Sequence, residues 1–317
     1  MFGKNTKDIW SSLAVYYKKD SGNYWDSITP CCISKMPEKL LRYYLDFSSK
    51  ADYPETFDQN EIPLYQKGYH PVVICQYALG LYELLFKNNY SDMNLKSKYL
   101  SQAEWLLYNS VKVKGRLTWL VNKKIRGYGL EKPWSSALVQ GEAISVLLRA
   151  YSLTKKAAYF DAAREALDIF ELDVKEGGIK NEFSSCPVYE EYPSLKPNFV
   201  LNGFVFSLFG LFDFILFNND PKAVKLFNEG VKTLEKLLSL FDTGYWSQYN
   251  LYYYPKTYLA SFKYHLIHIE QLRALYHLTG SEIFLKYSNK WSRYGNNIYI
   301  KTFALIRKIT AGNIVRE

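Results

Sequence analysis

Two carboxyl groups and two phenols stand together at residues 189–193, which read Tyr-Glu-Glu-Tyr-Pro, and Asn202 follows nine residues later, at the start of a strongly apolar run. Polar side chains at a buried turn must be hydrogen-bonded or take part in chemistry. Burial raises the pKa of a glutamate, and a tyrosine with its ordinary pKa of about 10 is an acid that becomes a base when that pKa is lowered. The segment therefore predicts a proton-transfer site. Two alternatives stay open: Glu191 caps the next helix, and Tyr192 is a packed aromatic of the turn.

A second set of polar residues lies further along the chain. Tyr264, His268 and Gln271 have the spacing i, i+4 and i+7, so they share one face of a predicted helix. That face either lines a cleft or forms internal hydrogen bonds. His265 and His268 lack the His-x-x-x-His spacing of a zinc site, and the four cysteines form neither a disulfide framework nor a zinc motif. We therefore expect no metal and no cofactor.

The composition favours an anionic partner. The chain has 317 residues, a formal charge of +9 and 17% aromatic residues, including 29 tyrosines. A positive balance suits nucleic acid, a membrane surface or an acidic polysaccharide. The lysines and arginines are scattered and no nucleic-acid motif is present, so we expect no nucleic acid. Tyrosines serve both sugar-binding clefts and aromatic cores, and composition alone does not separate the two.

The longest apolar run, around residues 204–217, is interrupted by Asp213 and is too short and too polar to span a bilayer. Residues 3–8 are polar, so the N-terminus lacks the pattern of a signal peptide. From these features we expect a soluble protein with a cytoplasmic location and no membrane insertion.

Amphipathic helices follow one another from about residue 61, with apolar residues at i, i+3, i+4 and i+7. Short breaks join them in pairs, and long polar segments separate the pairs. The predicted pairs are 139–152 with 155–172, 201–217 with 221–240, and 264–278 with 282–294. The long segments are 112–138, 174–200 and 242–261. This alternation predicts an all-α-dominated (α/α) toroid or barrel with functional loops at one end, and β-hairpins at 112–121 and 245–254. We divide the chain into an irregular segment 1–60, packed on the toroid, and a catalytic domain 61–317.

Four segments, in this order, carry a resemblance to a known family. They are residues 65–69 with Pro71 and Gln76-Tyr77; residues 134–137 with Gln140-Gly141, residues 143–145 and residues 149–151; residues 189–193 with Asn202-Gly203; and residues 249–251 with Tyr264-His265 and residues 268–272. From about Tyr65 onward the chain resembles the catalytic C-terminal domain of the D-glucuronyl C5-epimerases of heparan sulfate and heparosan.

The resemblance implies where the chemistry takes place. The catalytic positions fall on Glu191, Tyr192, Tyr249 and Tyr264. The expected substrate-binding residues are Gln66, Tyr69, Arg126, Trp134, Gln140, Glu190, Asn202, His265 and His268. The implied substrate is an acidic polysaccharide, with no cofactor, and a homodimer is a possible assembly. The chain departs from the family pattern after Tyr249, because Asn250 replaces an aspartate and Tyr252 replaces an arginine. Another cation, such as Arg126 or a nearby lysine, must then pair with the uronate carboxylate.

The expected reaction inverts C5 of D-glucuronate to L-iduronate. It needs a base on one face of the sugar ring, an acid on the other, and stabilisation of the dianion formed between the two steps. One glutamate and several tyrosines suffice for this chemistry. The alternatives are a polysaccharide lyase, which abstracts the same proton and then expels the C4 substituent, and a non-catalytic protein that binds acidic glycans.

Overall fold

The computed structural model describes Tyr24 and residues 28–32, 42–253 and 255–310. This part of the chain contains nine α-helices. They are α1 (Pro71–Lys87), α2 (Met93–Tyr108), α3 (Ala137–Thr154), α4 (Ala157–Glu165), α5 (Leu201–Asn218), α6 (Pro221–Phe241), α7 (Phe262–Thr279), α8 (Glu282–Asn296) and α9 (Ile298–Thr310).

The described strands are short, and all of them pair in antiparallel sheets of two or three strands. They are β1 (Thr29–Cys32) with β2 (Leu45–Asp46); β3 (Thr56–Phe57), β4 (Pro63–Tyr65) and β5 (Gly68–Tyr69); β6 (Val111–Val113) with β7 (Arg116–Thr118); β8 (Leu120–Val121) with β9 (Trp134–Ser135); and β10 (Lys180–Phe183) with β11 (Cys186–Tyr189). The prediction of a helix-dominated fold with small β-hairpins is confirmed.

The helix ends follow from local sequence. The Asp220 carboxylate accepts the N–H groups of Lys222 and Ala223 at the start of α6, directly before Pro221. Gly280 ends α7 with a φ of +70°, a conformation that few residues other than glycine adopt. Both helix boundaries were readable from the sequence.

Two predicted elements are wrong in extent or type. The helix expected over 155–172 ends at Glu165, because the side-chain amide of Gln140 takes the carbonyl of Ala166 and the chain continues as the 3₁₀ turn Asp168–Glu171. The hairpin expected at 245–254 is absent from the described residues there. The backbone N–H of Tyr249 instead donates to the carbonyl of Tyr258 at 2.8 Å, and the Tyr249 carbonyl accepts from Leu201 at 3.1 Å.

The helices pack as a double row. Each even-numbered helix from α2 to α8 packs against the helix before it, while α1 packs on α3, α3 on α5 and α5 on α7. Gly141 of α3 touches α5 so closely that a methyl group there would lie 2.6 Å from the Phe206 carbonyl oxygen. Further along, Arg149 of α3 pairs with Asp213 of α5. Because both contacts advance in the same direction, α3 and α5 run parallel. Closure into a toroid stays a prediction.

The described part of the first 60 residues contributes to the core. Tyr43, Tyr44 and Phe47 are buried, and the Tyr44 ring stacks on Phe209 of α5 with centroids 4.4 Å apart. The Tyr44 hydroxyl donates to the buried Asp213 carboxylate at 2.7 Å. The turn Ser48–Ala51 packs on α1, and β1 and β2 lie against α7. The boundary at residue 60 stays a prediction.

Among the described helices, α5 alone is long and apolar enough to cross a membrane, and 78% of it is buried inside the fold. Its neighbours α3, α6 and α7 cover it. This burial is what the central helix of a globular protein shows.

Candidate active site

The loop between β11 and α5 is fastened from inside by Glu190. Its buried carboxylate accepts the backbone N–H groups of Asn198 and Phe199, both at 3.0 Å, and the side-chain amide of Asn181 at 3.3 Å. Burial raises the pKa of Glu190 to about 8, although these hydrogen bonds lower it. The backbone carbonyl of Glu190 also accepts from Ala137 at the start of α3. Glu190, expected to bind substrate, is therefore occupied in shaping the loop.

Glu191 lies against the first turn of α5. A methyl group at Gly203 would fall 2.5 Å from Glu191 Cβ and 2.8 Å from its carboxyl carbon, so only glycine leaves room for this side chain. The Glu191 residue is 8% exposed. The helix N-cap is Val200, whose side chain makes no capping hydrogen bond. Negative charge is favoured at the N-terminal end of a helix, so the position of Glu191 is consistent both with stabilisation of α5 and with the predicted catalytic role.

The structure brings the four predicted catalytic residues together. Burial raises the pKa of Tyr192 well above its usual value, and the nearby Glu191, Tyr264 and Tyr128 and a hydrogen bond with Glu191 raise it further. Tyr249 is buried, and its ring meets that of Tyr264 edge-on at 5.0 Å. A carboxylate and three phenols from three chain segments thus converge, while their catalytic roles stay predictions.

Aromatic rings continue outward from this cluster. The Tyr128 ring lies 5.2 Å from that of Tyr192 and 5.1 Å from that of Tyr252. Trp134, predicted to bind substrate, packs on Tyr192 at 5.6 Å. The side-chain amide of Asn250 donates to the Tyr128 hydroxyl at 2.7 Å. We call Tyr128, Trp134, Tyr192 and Tyr252 the aromatic wall.

A lysine lies on this wall. The ammonium of Lys196 is 4.3 Å from the centre of the Tyr252 ring, a cation–π distance. Its side chain is exposed and forms no ion pair within the described part of the chain. Arg126, the other expected cation, is exposed in the 3₁₀ turn Arg126–Tyr128 next to the wall. Lys196 escaped the sequence analysis, because its position over Tyr252 depends on the loop that Glu190 shapes.

Several predicted binding residues lie elsewhere. Gln66 and Tyr69 are exposed on the β4–β5 hairpin, where the side-chain amide of Gln66 donates to the Tyr65 hydroxyl at 3.3 Å and the Tyr69 hydroxyl donates to Asp58 at 2.8 Å. No described contact joins either residue to the predicted catalytic tyrosines. Gln140 is fully buried. Its amide oxygen accepts from Thr118, and its amide nitrogen donates to the carbonyls of Leu117 and Ala166. This residue fastens β7 to α4.

The two histidines of α7 that were predicted to bind substrate, His265 and His268, are internal. His265 stacks on Trp246 with centroids 3.7 Å apart, and its two ring nitrogens meet Ser247 Oγ and the Trp291 carbonyl. His268 Nδ1 lies 3.0 Å from the same Ser247 Oγ. Asn202 is buried as well, and its backbone carbonyl accepts from the side-chain amide of Gln271 at 3.0 Å.

A third buried carboxyl group, after those of Glu190 and Glu191, lies near the site. Glu142 of α3 is fully buried and accepts from the side-chain amide of Gln76 of α1 at 3.1 Å. Burial raises the pKa of Glu142 well above its usual value, the Gln76 hydrogen bond and Lys50 lower it, and Glu191 raises it further. Sequence analysis missed this residue, although an acid on the apolar face of a helix was a usable signal. No cluster of three or more metal-ligating side chains occurs within the ranges that the structure describes.

Comparison with known proteins shows which family the chain belongs to. The family model described as "D-glucuronyl C5-epimerase C-terminus" matches residues 113–293, more than half of the chain. The D-glucuronyl C5-epimerase of Caenorhabditis elegans is 33% identical over 213 residues, which cover 62% of this chain and 34% of that protein. An uncharacterised protein of Methanocaldococcus jannaschii is 33% identical over 181 residues, 55% of this chain and 57% of that protein. The chain thus spans about a third of the length of the first relative and somewhat over half of the length of the second. On the extent of the family match, the chain belongs to the D-glucuronyl C5-epimerase family.

Proposed function

We propose that this protein inverts C5 of D-glucuronate to L-iduronate in a heparosan-like acidic polysaccharide. The observation that carries the proposal is the meeting of Glu191 and Tyr192, beside Gly203, with Tyr249 and Tyr264 from two other segments. Family membership supports the same reaction class. The chain spans only about a third of the length of the Caenorhabditis elegans epimerase, so substrate and activity are proposed for this chain and tested below.

The chemistry assigns complementary roles to the two kinds of side chain. The C5–H bond breaks as a base takes the proton, and its electron pair moves onto the adjacent carboxylate to give a dianion. A phenol on the opposite face then gives its proton to C5, which completes the inversion. Burial raises the pKa of Tyr192, so its phenol keeps its proton near neutral pH and suits the acid. On the other face of the ring, Glu191 and the phenol of Tyr264 are proposed together to take the proton in the same direction, and the roles exchange in reverse.

Binding of the uronate requires a cation. Lys196 is the proposed partner of the substrate carboxylate, because its ammonium lies on the aromatic wall at the ring of Tyr252. Sugar faces pack well on aromatic rings, and the three partly exposed tyrosines of the wall offer such rings. The net charge of +9 favours approach of an acidic polymer.

Three further features belong to the proposal. The parallel course of α3 and α5 supports a toroid with the tyrosine cluster at one end. Free thiols at Cys75 and Cys186 suit a reducing compartment and hence the cytoplasm. A homodimer is proposed only from the resemblance, and sedimentation of the purified protein tests it.

Incubation of the protein with heparosan in deuterium oxide, followed by proton NMR, tests the reaction. We expect loss of the C5 proton signal of glucuronate and new iduronate signals, with no change in chain length. An ultraviolet-absorbing unsaturated end group would show a lyase instead. Heparosan binding without exchange at C5 would show a binding protein.

A further inference from the structure

A chain of buried hydrogen bonds ends at His268. Ser247 Oγ lies 2.8 Å from His265 Nδ1 and 3.0 Å from His268 Nδ1. On the far side, His265 Nε2 lies 3.0 Å from the Trp291 carbonyl oxygen. Ser247, His265 and His268 are fully buried. None of these three side chains contacts bulk water, so the directions of their hydrogen bonds are set by the protein alone.

The positions of the hydrogens follow from this geometry. A carbonyl oxygen only accepts, so His265 Nε2 carries a hydrogen. Burial lowers the pKa of His265 to about 3 and that of His268 well below its usual value, so each ring is neutral and carries one N–H. His265 Nδ1 is then a bare acceptor, and the single Ser247 hydroxyl hydrogen points to it. Ser247 Oγ consequently accepts from His268 Nδ1–H, and His268 Nε2 is left as an unprotonated acceptor.

Two further buried side-chain atoms lack a hydrogen-bond partner in the described part of the chain, as His268 Nε2 does. His268 Nε2, Gln271 Oε1 and Asn202 Oδ1 find no hydrogen-bond partner among the residues that the structure describes, and all three side chains are more than nine-tenths buried. The Gln271 amide nitrogen donates to the Asn202 carbonyl, which fixes the orientation of that amide group. Buried polar atoms are rarely left unpaired, and the two atoms whose identity the hydrogen bonds fix, His268 Nε2 and Gln271 Oε1, are both acceptors.

Tyr264 belongs to the same helical face. It precedes His268 by four residues and Gln271 by seven, so the three side chains follow one another along α7. A bound group at His268 Nε2 therefore lies one helical turn from a proposed proton-transfer residue. The ligand must donate hydrogen bonds and be small, which describes a hydroxyl group or a water molecule.

We propose that Ser247 and His265 hold His268 in its Nδ1–H tautomer, so that His268 Nε2 and Gln271 Oε1 bind an O–H donor beside Tyr264. In the free protein this donor is an internal water, and a sugar hydroxyl replaces it when polymer is bound. His268 is thus a positioning residue for the Tyr264 phenol, and this last step rests on the proposed function.

Long-range ¹H–¹⁵N NMR of the histidine rings at neutral pH tests the tautomers directly. We expect His265 as the Nε2–H form, His268 as the Nδ1–H form, and a His268 Nε2 shift typical of a hydrogen-bonded acceptor. Cross-peaks between the His268 ring and a long-lived water identify the occupant, and their loss on adding heparosan identifies its replacement by a sugar hydroxyl. A His268 ring protonated at Nε2, or an Nε2 shift typical of a nitrogen without a hydrogen bond, would overturn the proposal.

Ser247→Ala tests the link to Tyr264. It removes the acceptor of His268 Nδ1–H, so the His268 tautomer is no longer fixed, and we expect C5 exchange to slow about tenfold, less than the roughly 10²–10⁴-fold loss of an acid or base. Ser288→Ala is the matched control, since Ser288 is also buried and its hydroxyl bonds only within α8. Equal exchange rates in the two variants would refute the positioning role. If wild-type protein shows no exchange at C5, the proposed function fails, while the NMR result still decides the acceptor site.

Discussion

Among the proposed proton-transfer residues, Tyr264 is the one whose hydroxyl can be removed with the least disturbance. It lies on α7, and its ring, which phenylalanine keeps, packs edge-on against the ring of Tyr249. We expect Tyr264→Phe to keep that packing and to slow C5 exchange by roughly 10²–10⁴-fold. The measurement is the initial rate of deuterium incorporation from solvent. Tyr276→Phe removes a half-buried phenol further along the same helix and should exchange at the wild-type rate. Wild-type exchange in Tyr264→Phe would reduce Tyr264 to a packing residue.

Gly203 provides a second test at a single residue. In Gly203→Ala the new methyl group collides with Glu191, which must move away from its place beside α5. Because displacement by about 1 Å can cost roughly 10²-fold in rate, we expect kcat for C5 exchange to fall by about that factor. Gly295→Ala is the control, since its methyl group would meet His265 at an ordinary 3.6 Å. Unchanged kcat in Gly203→Ala would show that Glu191 takes no part in catalysis.

The loop between β11 and α5 is the element that gives the site its shape, and the carboxyl group of Glu190 holds it. The pKa of about 8 lies above the roughly 4.3 of an unfolded glutamate, so the folded state binds the proton more tightly. The stability that comes from binding this proton in the folded state is fully present below about pH 4, and it is lost as the pH rises through 8. We therefore expect the free energy of unfolding to decline by a few kcal/mol over that interval.

Glu190→Gln removes the titrating group, so the decline with pH should disappear in urea unfolding curves measured from pH 4 to 9. The variant should also be less stable at low pH, because its amide NH₂ faces a backbone N–H of the loop. Glu182→Gln, an exposed acid on β10, should keep the wild-type pH profile. A Glu190→Gln profile that declines like the wild type would assign the pH dependence to another group.

Elements with purely local signals were predictable. Asp220 and Gly280 marked helix boundaries, because capping needs only the residues next to the helix end. The end of α4 and the conformation of residues 245–253 were not predictable, since distant partners set them. The Gln140 side chain captures the carbonyl of Ala166, and the Tyr249 carbonyl receives the first amide of α5.

At the scale of the whole molecule, the site residues also divide into those predictable from local sequence and those that depend on distant partners. The pattern of helix pairs was visible, because apolar periodicity reports which face is buried. Glu190 and Gln140 were expected to bind substrate, yet their hydrogen-bonding groups are used inside the fold, and one sequence does not show which buried polar group already has partners. The convergence of Glu191 with Tyr264 came from the family resemblance, since the two lie 73 positions apart with nothing local to join them.

The net charge of +9 and the place of Lys196 lead to a prediction for the whole molecule. We expect heparosan affinity to fall as salt is added, because exposed charges are screened over about 10 Å at roughly 0.1 M. Lys196→Met should raise KM about two- to fivefold, since an exposed ion pair contributes about 0.2–1 kcal/mol, with kcat unchanged. It should also flatten the dependence of KM on salt.

The control for this test is Lys232→Met, which removes the same charge from an exposed position on α6. Lys232 should affect the substrate only through the net charge, whereas Lys196 is proposed to touch the carboxylate. Titrations of KM against salt for both variants therefore separate a contact from a general field. Equal shifts in the two would mean that the field of the whole protein attracts the polymer and that Lys196 is not the partner of the uronate. Binding that ignores salt in the wild type would mean that stacking on the aromatic wall dominates, because dispersion and burial of sugar faces are not screened by ions.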